Sequence, residues 1–142
     1  MSTALTQLSA DERMFFDTVS KFARERVGPR VAKMDEHGAV DRELLPELFE
    51  LGVMAVEVPE AFGGVGASFF TGILAVEALA LVDPSVSVLV DVQNTLVANA
   101  LLRWGSEAQK KQYGPRLTAE WVGSYALSAG SEEHTSELQS PC

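Results

Sequence analysis

The sequence predicts an all-α domain, and three observations support that prediction. Capping residues precede apolar segments, beginning with Ser9 and Glu12, whose spacing matches a capping box. Apolar residues in the segments that follow recur at three- and four-residue spacing, as on one face of a helix. Glycines stand where those segments end, as at Gly52 and Gly105. With 142 residues, the chain is long enough for one domain with its own core.

The first predicted helix begins after Ser9 and weakens at Gly28-Pro29. Because proline suits the first turn of a helix, Pro29 can open a second short helix that runs through Met34. Asp41 is predicted to cap the next helix, and Gly52 to stop it. The apolar face of that helix consists of Leu44, Leu45, Leu48 and Phe49.

Two short segments follow. Residues 53–58 are rich in valine and are predicted to be strand-prone, ending at Pro59. Residues 60–67 are rich in glycine, which leaves two interpretations open. The loop could hold a phosphate, but it lacks the P-loop and dinucleotide-binding patterns, so a plain connection between helices is favoured.

The second half of the chain contains three more predicted helices. The first begins at Ser68 and is apolar nearly all round, which predicts a central, buried helix. Its Glu77 is either a buried carboxylate at a site or a paired or interface-facing residue, and the second interpretation is favoured. Asp83-Pro84 starts a helix that ends at Trp104. Ser106 opens a second capping box and a short helix through about Tyr113.

The chain changes character near its end. Residues 121–128 alternate in the manner of a strand. Because a lone strand is not stable, this strand is expected to pair with another molecule or to belong to a longer chain. The chain is therefore divided into a helical domain, residues 1–120, a predicted strand, residues 121–128, and a disordered tail, residues 129–142.

Composition excludes several classes of function. The formal net charge of −9 disfavours binding to nucleic acid and to anionic lipid. The single cysteine, Cys142, and two distant histidines, His37 and His134, give no metal-ligand spacing, so no metal site is expected. The apolar runs are short and broken by polar residues, and the first ten residues have no basic residue, so neither a membrane span nor a targeting segment is expected.

Four segments, taken together, resemble the acyl-CoA dehydrogenase family. They keep the family's order and spacing and extend over about residues 8–128. The matching residues are Leu48-Phe49, Gly52-Val53-Met54, Glu57-Val58-Pro59-Glu60, Phe62-Gly63-Gly64 and Gly66; Glu77-Ala78-Leu79-Ala80 and Asp83-Pro84-Ser85; Gly105-Ser106-Glu107, Gln109-Lys110, Tyr113, Pro115 and Leu117; and Gly123-Ser124-Tyr125-Ala126-Leu127-Ser128. Three further stretches, 34–36, 66–69 and 92–96, look most like the short/branched-chain subgroup.

The resemblance implies that the chain is the helical N-terminal domain of such an enzyme, with the first strand of the following β-domain at its end. The family's usual reaction removes the α-proton of an acyl-CoA and passes hydride from the β-carbon to FAD. The resemblance places the catalytic base, a glutamate, in a C-terminal helical bundle. No catalytic residue is therefore expected in this chain, which by itself would be inactive.

Two sets of site residues carry over from the family. Tyr125 and Leu127 would offer backbone contacts to the flavin, and Ser128 would donate a hydroxyl hydrogen bond. Val92 and Leu96 would line the acyl pocket, although an ordinary core position at helical spacing explains these two residues equally well.

The resemblance also implies partners. The full-length enzyme would act on short or branched acyl-CoA, pass electrons to an electron-transfer flavoprotein and form a homotetramer. It would be cytoplasmic in a bacterium and lie in the mitochondrial matrix in a eukaryote. Oxidase chemistry on the same scaffold stays open. The alternative is a non-enzymatic helical module that binds a protein through an exposed apolar face or strand edge.

The sequence departs from the family after Ser128. The family continues with glutamate and a Gly-Ser-Asp turn, whereas this chain continues with residues 129–134, Ala-Gly-Ser-Glu-Glu-His. Residues 131–140 resemble the translation of a widely used sequencing-library adapter. The chain from about residue 130 is therefore interpreted as a read-through artefact with no bearing on the fold.

Overall fold

The computed structural model describes residues 7–126, and within that range it contains helices and connecting segments only. The all-α fold class is confirmed. The α-helices are α1 (Ala10–Phe22), α2 (Val31–His37), α3 (Leu44–Glu50), α4 (Phe69–Ala80), α5 (Pro84–Asp91), α6 (Asn99–Trp104) and α7 (Glu107–Ala119). Two π-helical segments, Ala23–Val27 and Val92–Ala98, join α-helices without a break.

The N-terminal helix begins where the capping box predicts. The Glu12 amide donates to Ser9 Oγ at 3.2 Å, and the Ser9 amide donates to Glu12 Oε2 at 2.7 Å. The helix weakens at Gly28-Pro29 as predicted. A π segment and a 3₁₀ turn, Gly28–Arg30, replace the α-helix there and carry the helical path into the second short helix, α2. Proline is tolerated there because the tight turn lies at a junction between helical segments. Gly38, at φ 60°, ends the path.

Helix α3 begins later than predicted. The Asp41 carboxylate accepts the Glu43 amide at 3.1 Å, which is a turn contact two residues along the chain rather than a helix cap. Helix α3 starts at Leu44, and Gly52, at φ 82°, follows its end as predicted.

One apolar core lies between α1, α3, α4 and α5. Its largest fully buried side chains include Val19 of α1, Leu44 and Leu48 of α3, Leu79 of α4 and Val90 of α5. A smaller cluster, formed by Ala55, Val58 and Ala98 with Phe62 and Leu102, lies next to α7. The two clusters are joined through the segment 53–58, which therefore has a central place in the fold.

The strand predicted at residues 53–58 is wrong. Val53–Ala55 form a 3₁₀ turn, and the residues that follow run as a buried irregular segment. Val53, Met54, Val56 and Val58 are all at most 3% exposed. Their β-branched composition therefore reflects burial on all sides rather than membership of a sheet.

The glycine-rich loop, residues 60–67, is a structural connection. Each backbone N–H from Phe62 to Ala67 donates to a backbone carbonyl, three of them to the buried segment: Val65 to Ala55 O at 3.0 Å, Gly66 to Val58 O at 2.9 Å and Ala67 to Val56 O at 2.8 Å. Because these donors are already used, residues 62–67 do not offer the free N–H groups that hold a phosphate. This favours the plain connection over the phosphate-binding alternative.

Helix α4 starts at its predicted cap, where Ser68 Oγ accepts the Thr71 amide at 3.1 Å. The prediction of a buried helix holds for one face only within the described residues. Leu74, Ala75, Ala78 and Leu79 are buried, whereas Phe69 is 56% exposed and Ile73 is 38% exposed. Glu77 is also exposed within the described residues, which favours the interface-facing interpretation. The helix therefore has one apolar face in the core and another at the surface of the described residues.

The longest helical path in the second half combines α5, the second π segment and α6. Asp83 Oδ1 accepts the Val86 amide at 2.9 Å, and Gly105 ends the path, both as predicted. The path, Pro84–Trp104, spans 21 residues and by length and composition alone could cross a membrane. Core helices have the same properties, and here Val86, Val90 and Ala98 are buried against the rest of the domain.

Helix α7 begins at the predicted Ser106–Gln109 capping box but runs six residues past its predicted end, to Ala119. It continues through Pro115 because tertiary contacts hold it: Gly114 and Thr118 are buried, and Thr118 Oγ1 donates to Phe62 O at 3.2 Å. Residues 121–126 have no regular secondary structure, and the described part of the chain offers no neighbouring strand.

Candidate functional site

The structure brings the two predicted site regions together. The acyl-pocket candidates, Val92 and Leu96, lie one turn apart on the second π segment; Val92 is half-buried and Leu96 is 39% exposed. The flavin-segment candidate Tyr125 lies on residues 121–126, called here the exit segment, and is 51% exposed. Leu127 and Ser128 lie outside the described residues.

Gln93 connects these two regions. Its side chain is 1% exposed and makes three hydrogen bonds to residues 117–123. Gln93 Nε2 donates to Leu117 O and to Trp121 O, both at 2.9 Å, and Gln93 Oε1 accepts the Gly123 amide at 2.8 Å. Both amide hydrogens are used, so the side chain is fully satisfied as a donor.

The carbonyl of Leu117 needs this partner. It lies in the last turn of α7, where carbonyls lack an amide four residues on within the helix. The Trp121 amide, which would be its helical partner, donates instead to Arg116 O at 2.8 Å. Gln93 therefore caps the C-terminal end of α7 from another helix and holds the first residues of the exit segment.

A steric contact fixes the same segment independently. Gly123 approaches Val97, on the π segment, so closely that a Cβ atom at residue 123 would overlap the Val97 side chain. The guanidinium of Arg116 also lies over the Trp121 ring, 4.8 Å from its centroid, in a cation–π arrangement. The exit segment is thus held by polar, steric and aromatic contacts up to two residues before Tyr125.

Asn94 does the equivalent for the buried segment 53–58. Its Oδ1 atom accepts the Val56 amide at 2.8 Å, and its Nδ2 atom donates to Val53 O at 2.7 Å and Val90 O at 2.8 Å. Gln93 and Asn94, which are adjacent on the second π segment, therefore hydrogen-bond to two segments that are distant in sequence: the exit segment and the buried segment 53–58. π segments inside α-helices occur frequently at functional sites.

A narrow groove lies beside the π segment, between α4 and α5. It is lined by Phe69, Ile73 and Val76 on one side and by Asp91 and Thr95 on the other, and its volume is about 10 Å³. That volume holds about one water molecule. Neither Val92 nor Leu96 lines this groove, so an acyl chain on these two residues needs walls from outside the described residues.

Gln93, Asn94 and Gly123 build the site without being predicted to do so from the sequence. A usable signal is present: two consecutive amide residues lie in a helix rich in apolar residues, and buried amides need partners. Apart from Val90 O, one turn before Asn94, their partners could not be inferred, because they lie 24 to 41 residues away along the chain.

The charges in the site region are few. Asp91 and Glu57 border the groove, and Glu57 Oε1 accepts a long hydrogen bond from Asn99 Nδ2 at 3.4 Å. Within residues 7–126, no group of three histidine, cysteine or acidic side chains converges as a metal site would require.

Comparison with known proteins identifies the fold. Residues 9–120 match the family description "Acyl-CoA dehydrogenase, N-terminal domain". The chain is 40% identical over 131 residues to the mitochondrial short/branched chain specific acyl-CoA dehydrogenase of Bos taurus, covering 90% of this chain and 30% of that protein. It is 31% identical over 142 residues to the mitochondrial isovaleryl-CoA dehydrogenase of Pongo abelii, covering 96% of this chain and 34% of that protein.

Solved structures agree. A glutaryl-CoA dehydrogenase of Mycobacterium smegmatis in complex with FADH2 superposes with a TM-score of 0.74 at 33% identity, over 79% of this chain and 29% of that one. A structure described as the electron transferring flavoprotein of Acidaminococcus fermentans superposes with a TM-score of 0.75 at 30% identity, over 79% of this chain and 30% of that one.

The chain spans about a third of the length of the curated relatives that it matches. Within that third, the match begins at the Ser9 cap and ends at the C-cap of α7, Glu120, so it includes every helix that the structure describes. The chain belongs to the acyl-CoA dehydrogenase family, and residues 9–120 are its N-terminal domain.

Proposed function

We propose that this chain is the N-terminal part of a FAD-dependent enzyme that desaturates short or branched acyl-CoA thioesters between the α- and β-carbons. The observation that carries the proposal is the attachment of the exit segment to the π segment through Gln93 and Gly123. It attaches residue 123, two positions before the predicted flavin neighbour Tyr125, to the helix that bears the predicted acyl-pocket residues, Val92 and Leu96. The names of the relatives support short and branched substrates.

The described residues fit a flavin at this position. Ser124, Tyr125 and Ala126 are exposed, which leaves their backbone free to border a planar ring. When bound, FAD supplies the hydride acceptor for this chemistry. Leu127 and Ser128 complete the proposed contact, with Ser128 as a hydroxyl donor.

The residues of this chain would serve binding and orientation rather than proton transfer. Val92 and Leu96 would give the acyl chain an apolar wall, and burial of the thioester next to that wall would exclude water. The base that removes the α-proton would come from the remainder of the enzyme. The chain of 142 residues should therefore be inactive and bind FAD negligibly.

The proposal extends to partners. An electron-transfer flavoprotein would accept the electrons, and the complete enzyme would be a homotetramer. The compartment would be the cytoplasm of a bacterium or the mitochondrial matrix of a eukaryote.

The exposed apolar side chains favour one second candidate function. Trp104 is 85% exposed, Leu81 72% and Val88 59%. Such residues also suit a helical module that binds a protein partner without catalysis. That candidate requires the 142-residue chain to be stable, monodisperse and encoded with its own stop codon.

Sequencing of genomic DNA across the codons for Tyr125 to Cys142 distinguishes the two. An open frame that continues from Ser128 supports the enzyme, and its product should carry FAD absorbance and oxidise butyryl-CoA or 2-methylbutyryl-CoA with an artificial electron acceptor. A stop codon near residue 142, or turnover of either thioester by the 142-residue chain, would contradict the proposal.

A further inference from the structure

We propose that Gln93 is a positioning residue that sets the register of the exit segment and thereby the position of the Tyr125 backbone at the flavin. The inference rests on the proposed function for its last step only. The attachment of the exit segment by Gln93 is a property of the 142-residue chain itself.

The hydrogen-bond inventory supports this role. A glutamine amide offers two donors and one acceptor oxygen, and here they meet two carbonyls and one N–H drawn from three backbone positions, Leu117, Trp121 and Gly123. These positions span the end of α7 and the first turn of chain beyond it. A shift of the exit segment by one residue would place a carbonyl where an N–H is needed, so the three bonds define one register.

The burial of Gln93 makes a change of this register unfavourable in free energy. Because Gln93 is 1% exposed, water cannot replace a lost partner without opening the domain. A buried donor or acceptor left without a partner costs about 1–3 kcal/mol. The overlap of any Cβ at residue 123 with Val97 limits sideways movement of the same segment.

Tyr125 lies two positions beyond the last anchored residue, Gly123. Successive residues in an extended chain are about 3.3 Å apart, so a displacement at residue 123 is transmitted to residue 125 with little loss. No other side chain of the π segment hydrogen-bonds to the exit segment within the described residues: Asn94 contacts residues 53, 56 and 90, and Thr95 Oγ1 donates to Asp91 O.

A matched pair of variants tests the proposal. Gln93→Glu and Asn94→Asp each replace one buried amide NH2 with oxygen, and each removes two donors to backbone carbonyls while keeping the acceptor. Both should lower stability to a similar extent. Only Gln93→Glu should release the exit segment. Gln93→Met, which removes all three bonds at similar side-chain length, serves as a second variant with Asn94→Leu as its control.

The first readout is hydrogen exchange at the Gly123 amide in the 142-residue chain. We expect Gln93→Met to accelerate exchange about 10- to 100-fold relative to Asn94→Leu at equal global stability, because a protecting hydrogen bond is lost. Equal exchange rates at Gly123 in the two variants would overturn the proposal at its first step.

The second readout is the flavin in the complete enzyme. We expect both Gln93 variants to weaken FAD affinity at least about tenfold and to shift the visible flavin spectrum, and both Asn94 variants to leave the spectrum unchanged. Faster Gly123 exchange with unchanged FAD affinity and spectrum would reduce Gln93 to a helix cap and overturn its positioning role. If the complete protein binds no FAD, either as wild type or as any of the variants, the proposed function is refuted. The exchange rate at the Gly123 amide would still show whether Gln93 attaches the exit segment.

Discussion

Arg26 and Glu47 form a bidentate ion pair that ties the N-terminal helical path to α3. Arg26 Nε lies 2.6 Å from Glu47 Oε2, and Arg26 Nη2 lies 2.7 Å from Glu47 Oε1. Arg30 adds a longer contact, with its Nη2 atom 3.4 Å from Glu47 Oε1. The Arg26 hydrogen bonds hold the pKa of the Glu47 carboxyl below its usual value.

This pair predicts a pH-dependent contribution to stability. The pKa of Glu47 is lower in the folded state than in the unfolded state. The ion pair therefore stabilises the fold at pH values above the unfolded-state pKa, and this stabilisation is lost as the pH falls through the folded-state pKa. Glu47→Gln should therefore lower the melting temperature slightly at pH 7, and the difference from wild type should shrink below about pH 4.3, the ordinary value for glutamate. Glu50→Gln, on the same helix, is the control. A difference that persists unchanged at pH 2 would contradict the assignment.

Replacement by alanine is expected to have opposite effects on stability at two glycines, Gly64 and Gly72. A Cβ at Gly64 would overlap the backbone carbonyl of Val58, whereas a Cβ at Gly72, inside α4, meets nothing within 4 Å. Gly64→Ala should destabilise the domain by about 3 kcal/mol, since backbone cannot move aside easily. Gly72→Ala should stabilise it by about 0.5–1 kcal/mol through helix propensity. Urea unfolding of both variants measures the contrast, and equal midpoints would contradict it.

Asn94 should be among the most sensitive polar positions. Asn94→Ala removes the partners of Val56 N–H and Val53 O, which lie in the buried segment, and should cost about 2–4 kcal/mol. Gln112→Ala, an exposed amide on α7, should change stability by less than about 0.5 kcal/mol. Chemical denaturation of the two variants is the measurement. A loss below 1 kcal/mol for Asn94→Ala would mean that water enters the segment 53–58.

Substitutions of Asp83, the N-cap of α5, can distinguish the effect of its capping hydrogen bond from the effect of its charge. Asp83 is 4% exposed, and its Oδ1 atom accepts the Val86 amide. Asp83→Ala should cost about 1–2 kcal/mol, and Asp83→Asn should recover most of that loss because asparagine also caps helices well. Thermal unfolding compares the three proteins. If asparagine were no better than alanine, the carboxylate charge rather than the cap would be the stabilising feature.

Substitution of Leu96 is expected to change the substrate specificity of the enzyme without changing the stability of this domain. Because Leu96 is 39% exposed within residues 7–126, Leu96→Phe should leave the folding of this domain unchanged. In the complete enzyme the same change should lower kcat/KM for branched acyl-CoA by about tenfold, the effect of a modest steric change in an apolar pocket. Val88→Phe, at an exposed position on α5, is the control. Equal kinetics for both variants would remove Leu96 from the acyl pocket.

Local sequence signals predicted the helix starts well. Ser9, Ser68, Asp83 and Ser106 all cap the helices that follow them, because a cap depends on residues three or four positions away. The segment 53–58 was misjudged because its valines are buried by contacts with distant residues, among them Asn94. The length of α7 was misjudged for the same reason, since Phe62 holds Thr118 from 56 residues away.

The candidate site was predictable only in part. Resemblance to the family indicated Val92, Leu96 and Tyr125, and the structure places the first two on one π segment and attaches the exit segment to it. The attachment itself was not predictable, because Gln93 meets its partners across the fold, 24 to 30 residues away along the chain. The roles of Leu127 and Ser128 stay predictions.

The paired amides of residues 62–67 have a consequence for proteolysis. Surface segments rich in glycine are where proteases usually enter a fold, because cleavage requires the chain to detach and extend in the protease cleft. Here detachment would break three bonds to residues 55–58 and expose the valines beneath. The most glycine-rich stretch of the chain should therefore be among the last to be cut by a protease that accepts small residues.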